Sequence, residues 1–225
     1  MASADSVTYR LAESAKSAEI LQFLLDNFLH DHPAHESVGL TRHDAEPFFR
    51  EIVSHCLEDP PISFVARHNG ELVGVRLSAL WKPSSSDNSE NESSSHHFAP
   101  SVQSIIAYSS IIDHDWHRLV PATVRNVVHF EIVSVNKAYT RQGIASKLNR
   151  LSIDRARELG FDAIYAHGTA LASQRMYAKM GFDALKMFHN KYFLDKNGEQ
   201  IIKCTDGTTS GVLYFLMLKK EDLNI

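Results

Sequence analysis

The chain has 225 residues, 44% of them hydrophobic, and a formal net charge of −4, the profile of one ordinary globular domain. The acidic balance and the lack of a Lys/Arg cluster argue against a nucleic-acid partner, and no stretch nears the roughly 18 apolar residues of a membrane span. There is no basic-then-apolar leader, the two cysteines (Cys56 and Cys204) make no disulfide framework, and the thirteen histidines are scattered without ligand spacing. A cytoplasmic location and no metal are therefore expected.

Residues 7–13 alternate and predict an opening strand. Ser14 caps a predicted helix whose Ala18, Leu21, Leu25 and Phe28 share a face. That helix ends near Asp31-His32-Pro33, because proline disfavours helix in the residue before it. A loop to Leu40 is expected, then a second helix from Thr41 to about Leu57. Pro60-Pro61 breaks the chain. Two strands at 62–67 and 72–80 around Asn69-Gly70 predict a β-hairpin.

Residues 82–100 change character. The run 84–95 has no apolar side chain, so burial cannot offset its ordering entropy, and a mobile surface insert is expected. Beyond it the pattern predicts a helix over 101–116, the central strand over 127–135 and a strand over 162–167. A short helix over 170–180, a strand over 184–194 and a last strand over 211–218 complete the chain. One domain, 1–225, accounts for all of it. Strand–helix alternation in the middle with hairpins at the ends predicts an α/β (α+β) fold, a mixed sheet between helices.

The stretch 130–148 organises the rest. It is a strand that stops at Gly143 and opens a helix, with Ile144, Leu148, Ala145, Ser152 and Ala156 on one small or apolar stripe. The first amides of such a helix are unpaired, and its dipole favours an anion there. The loop is neither G-x-G-x-x-G nor a P-loop. Thr140-Arg141-Gln142-Gly143-Ile144-Ala145 instead resembles the pyrophosphate loop of the GNAT superfamily of N-acetyltransferases, Arg/Gln-x-x-Gly-x-Gly/Ala, departing from it at Thr140. A second motif agrees: in Ser173-Gln174-Arg175-Met176-Tyr177-Ala178-Lys179-Met180-Gly181-Phe182, a helix carries Tyr four places before Gly-Phe, as the family's does.

The resemblance implies the GNAT fold: a mostly antiparallel sheet flanked by helices and splayed between its fourth and fifth strands. It implies acetyl-CoA as co-substrate, with Arg141, Gln142, Gly143, Ile144, Ala145 and Ser146 around the pyrophosphate. Pantetheine would run along Val133, Ser134 and Val135, with Thr169 and Ser173 beside it. A backbone N–H near Val135 is the expected oxyanion donor, and Tyr177 the acid for the leaving thiolate.

The arylalkylamine (dopamine) N-acetyltransferase branch adds expectations. Two hydroxyl residues at Thr169 and Ser173 belong to its active site, and His32 stands where it carries a glutamate base. On the central strand His129, Glu131, Val133 and Val135 are expected to share one face by period two. His129 and Glu131 occupy the positions of the paired strand histidines of the vertebrate enzymes. A carboxylate among apolar neighbours needs either a salt-bridge partner or a cleft. His32, His129 and Glu131 remain open alternatives for the base. The implied partners are acetyl-CoA and a small amine, an arylalkylamine first and a polyamine, amino acid or protein amine second, with a non-catalytic acyl-CoA-binding module as the third alternative. A monomer or homodimer without nucleic acid or membrane is expected.

Overall fold

The computed structural model describes residues 7–81 and 97–219. The expected Ser-rich insert therefore falls largely outside the described residues. Seven strands form one sheet in the order β1-β2-β3-β4-β5-β7-β6. They are β1 (Thr8–Leu11), β2 (Phe64–His68), β3 (Glu71–Leu80), β4 (Val127–Val135), β5 (Ala163–Gly168), β6 (Asp183–His189) and β7 (Ser210–Met217). Every pair is antiparallel except β4 with β5. The fold class is the expected one.

The first helix is one continuous rod with a defect. It runs as α1 (Ser17–Phe23), a π turn (Leu24–Phe28) and α2 (Leu29–Asp31). A widened turn of this kind re-aims the residues after it. The expected loop to Leu40 is instead opened by a short helix, α3 (Pro33–Ser37), with proline at its first position, where a missing N–H costs nothing. Thr41 caps α4 (Arg42–Cys56), its hydroxyl accepting from the Asp44 amide at 3.2 Å. Then come α5 (Pro100–Asp113), α6 (Ile144–Glu158) and α7 (Leu171–Lys179). The strand expected over 184–194 ends at His189, because Asn190 turns inward: it is buried, accepting from the Tyr108 hydroxyl and donating to the Thr208 carbonyl.

Helices α1 and α4 cover β3 through Ile20, Leu24, Phe49, Val75 and Leu77. On the same face α5 covers β5 and β7 through Tyr108, Ile112, Tyr165 and Leu213. The opposite face carries α6 and α7, with Leu148, Ile153, Phe130, Ile164 and Tyr177. Burying each large aliphatic side chain contributes about 1.5–3 kcal/mol. The α6 stripe sits close to the sheet because β3 presents Gly74, where an added Cβ would lie 3.2 Å from Ile144.

Two features of the sheet place the site. First, Asp162 accepts the Arg125 and Asn126 amides at 3.0 and 2.9 Å and so aligns the starts of β4 and β5. The pair runs from Val127↔Ala163 only to Phe130↔Ala166. Beyond that, β4 stays with β3 and β5 with β7, and the two strands part.

Second, Leu77 opposes Ile132 while Ser78 opposes Phe130, leaving Glu131 as an extra residue, a β-bulge. This overturns the expected period-two face. Val128 and Phe130 pack toward α6 and α7, Ile132 packs toward α1 and α4, and Val135 is back against Ile144.

Candidate active site

The gap between the parted strands opens into a cavity of about 500 Å3. Val133, Ser134 and Val135 line it from β4, Thr140, Arg141 and Gly143 from the following loop, and Ile144, Ala145 and Ser146 from the start of α6. The other end is closed by Phe28, Asp31 and His32, by Glu131 and His167, and by Thr169, Ser173 and Tyr177. The structure thus gathers all but two of the residues singled out from sequence. Gln142 points away, toward the Ala138 carbonyl at 3.5 Å. His129 stands behind the wall.

At the loop, Arg141 and Gly143 have φ of 61° and 80°, both left-handed. Gly143 is the N-cap of α6 and offers no side-chain acceptor. The first backbone bond of the helix runs from the Lys147 amide to the Gly143 carbonyl at 2.9 Å. The amides of Ile144, Ala145 and Ser146 therefore have no acceptor within the helix, and no acidic residue occupies the first turn. Such an end can hold an anion. A cleft beside it, between α6 and α7, carries Arg150, Arg157, Arg175 and Lys179.

Tyr177 is 2% exposed, and its hydroxyl accepts from Arg76 Nη1 at 3.2 Å. Arg76 is fully buried, with its guanidinium 3.7 Å over the Phe130 ring. Its Nε and Nη2 have no partner among the described residues. Burial lowers the guanidinium pKa, although the Tyr177 hydroxyl opposes this.

Glu131 meets His129 Nδ1 at 2.6 Å, with about a quarter of its side chain accessible. Burial disfavours its ionisation, but the His129 charge and hydrogen bond, with His167 nearby, outweigh it and hold the carboxyl below its usual range. His129 stacks flat on Tyr165 at 4.2 Å, and its Nε2 is buried without a partner among the described residues.

At the other wall His32 Nε2 lies 2.9 Å from Thr169 Oγ1, joining the end of α2 to the end of β5. Its Nδ1 is buried and has no partner among the described residues. Burial, with His35 next to it, pushes its imidazole well below the ordinary value. His35 is pushed down to about 4, chiefly by burial.

Ser173 spends its hydroxyl locally: it donates to the Ala170 carbonyl at 2.8 Å and accepts from the Ala170 amide at 3.3 Å. Thr169 does not cap α7, a position that falls to Ala170.

Sequence reasoning missed three residues. Arg76 had a signal, a lone charge in the apolar run 72–80. His167 and its partner Asp113, whose Oδ1 lies 2.6 Å from His167 Nε2, had none. Among the described residues no cluster of His, Cys, Asp and Glu suited to a metal ion occurs, and no helix is long and apolar enough to cross a membrane.

The family profile described as "Acetyltransferase (GNAT) family" matches residues 21–182. A search of curated protein sequences finds no significant match. Among solved structures the chain is similar to arylalkylamine N-acetyltransferase 2 from Aedes aegypti, at 20% identity and a TM-score of 0.82 over 95% of this chain and 100% of that one. It is also similar to the Drosophila melanogaster polyamine N-acetyltransferase that forms N-acetylagmatine, at 16% identity and 0.75 over 94% and 100%. A third is the C-terminal condensation domain of Ebony in complex with β-alanyl-dopamine, at 13% and 0.69 over 95% and 99%. At these identities the likeness is one of fold.

Proposed function

The chain belongs to the GNAT family of acetyltransferases, and from that premise we propose an acetyl-CoA-dependent N-acetyltransferase that acylates a small arylalkylamine directly, in a ternary complex. The observation that carries this is the cavity in the splayed sheet. It joins an uncapped helix start at one end to Tyr177, Glu131 and His32 at the other.

The residues present fit acetyl-CoA. The free amides of Ile144, Ala145 and Ser146, with Arg141 and Ser146 beside them, suit a pyrophosphate. The β4 edge at Val133, Ser134 and Val135, released by β5, suits the amide-bearing pantetheine as an added strand. Acetyl-CoA supplies the activated acyl carbon.

The protein's own groups do the rest. An alkylamine is mostly ammonium at neutral pH, so a base must remove a proton before nitrogen can attack. Glu131, with His129 behind it, and His32 are the groups that the sequence offers for this. The carbonyl oxygen needs a donor where charge develops, and a freed β4 amide near Val135 serves. Tyr177 gives its hydroxyl proton to the departing thiolate.

The acceptor's nature follows from charge pairing. Each carboxylate around the acceptor end already has a partner: Asp31 with Lys137 at 2.7 Å, Glu131 with His129, and Asp113 with His167. A polyamine would need a further anion for its second charge. Phe28 offers apolar wall instead, which suits an aromatic tail. The free thiols Cys56 and Cys204 accord with a cytoplasmic enzyme.

A screen of amines by thiol release tests the reading. Phenylethylamines and tryptamines should be turned over with kcat/KM well above spermidine or agmatine. The reverse order would replace it with the polyamine reading.

A further inference from the structure

Around the acceptor end stand three histidines, and each uses its ring nitrogens differently. His129 gives Nδ1 to Glu131 and buries Nε2 with no partner among the described residues. His32 gives Nε2 to Thr169 and buries Nδ1. His167 gives Nε2 to Asp113 at 2.6 Å, while its Nδ1 is neither hydrogen-bonded nor sealed among the described residues. It lines the cavity.

The fold puts it there. Phe130↔Ala166 is the last parallel pair, so Glu131 and His167 are the first residues past the point where the strands part. Asp113, the last residue of α5, stands behind His167, and that helix end is pinned by Lys186, which donates to the Ile111 and His114 carbonyls at 2.7 and 3.0 Å.

We propose, resting on the N-acetyltransferase reading, that His167 is the base of the reaction: Asp113 fixes its tautomer and orientation, and Nδ1 takes the proton of the substrate ammonium. An ionised Asp113 can only accept, so Nε2 carries the hydrogen and Nδ1 holds the lone pair. A carboxylate that orients an imidazole and stabilises its protonated form is a recurrent solution for general base catalysis. The ammonium gives one proton to Nδ1. The freed nitrogen lone pair forms the C–N bond as the C–S bond breaks. The second nitrogen proton is lost as the amide forms, Tyr177 protonates the thiolate and recovers that proton, and the third stays on the amide. The imidazolium then releases its proton to solvent.

The groups facing His167 are Asp113 from α5, His129 and Glu131 from β4, Tyr165 on its own strand, and Lys186 acting through Asp113. Burial lowers its proton affinity, but Asp113, by charge and hydrogen bond, and Glu131 outweigh this and raise it above the ordinary imidazole value. His32 moves the other way. The stronger base takes the larger share of the ammonium proton.

The test is kcat/KM for phenylethylamine at saturating acetyl-CoA across about pH 5.5–9, with acetyl-CoA affinity measured alongside. The wild type should show an acidic limb above the ordinary histidine value. His167→Gln should lose that limb and about 10²-fold in kcat/KM while still binding acetyl-CoA. Asp113→Asn should keep the limb but move it to lower pH, because the charge that raises it is gone; a purely structural Asp113 would not move it. A folded His167→Gln with the wild-type limb overturns the assignment and leaves the transferase reading standing. So does an unmoved limb in Asp113→Asn, should His167→Gln fail to fold. A wild-type protein that acetylates no amine overturns both.

Discussion

Replacing Tyr177 with phenylalanine removes one hydroxyl that serves two ends. In the proposed reaction it protonates the thiolate, so kcat should fall by about 10²-fold. Acetyl-CoA affinity should change little, because the hydroxyl acts on charge that develops only in the transition state. The structure adds a second consequence. That hydroxyl is the one hydrogen-bond acceptor of Arg76 among the described residues, and Arg76 is fully buried with Nε and Nη2 already unpartnered. Losing a hydrogen bond to a buried charged group costs about 1.5–3 kcal/mol. For a protein of this size each kcal/mol moves Tm by about 2–4 °C, so a drop of roughly 3–12 °C is expected. Steady-state kinetics and thermal denaturation of the same sample read both effects. Adding Arg76→Met removes the stranded charge, so stability should recover toward wild type while kcat stays low. Unchanged melting in Tyr177→Phe would refute the buried pair. Unchanged kcat, with chemistry rate-limiting, would make Tyr177 a packing residue only.

Three further outcomes are expected. Gly143→Ala should cost about 1 kcal/mol of stability for its φ of 80° but keep acetyl-CoA binding, since the new Cβ meets nothing within 4 Å; Gly143→Glu should abolish binding in calorimetry, and unchanged affinity would remove the anion site. Ser173→Ala should cost about 1 kcal/mol, as for loss of a helix cap, and leave kcat near wild type, because the hydroxyl is spent on Ala170; a large fall in kcat would place it on substrate. Acid should destabilise the fold early: His35 stays neutral down to about 4 when folded but protonates near 6.5 when unfolded, so stability present at neutral pH is lost as pH falls through that window, by about 3 kcal/mol. Urea denaturation at a series of pH values reads this, and a flat profile between those two values would contradict the burial of neutral His35; His32 acts in the same direction.

Local pattern was enough for most of the elements and for one half of the site. The strands expected over 72–80 and 127–135 and the stripe on α6 reappear as β3, β4 and the buried Ile144, Leu148 and Ala156. The helix start at Gly143 and the position of Tyr177 before Gly181-Phe182 depend on neighbours a few residues away, so they were legible in the chain itself. Both line the cavity.

What the sequence could not show depends on contacts between distant segments. The bulge at Glu131 exists only relative to the register of β3, so period two failed there. Arg76 reads as an anomaly in a strand until a tyrosine 101 residues away meets it. His167 reads as the end of a strand until β4 and β5 part and Asp113, 54 residues earlier, comes behind it. Side-chain periodicity determines which face a residue presents within its own element. Which charge it meets is decided by where strands pair and where they stop pairing, and that belongs to the sheet as a whole.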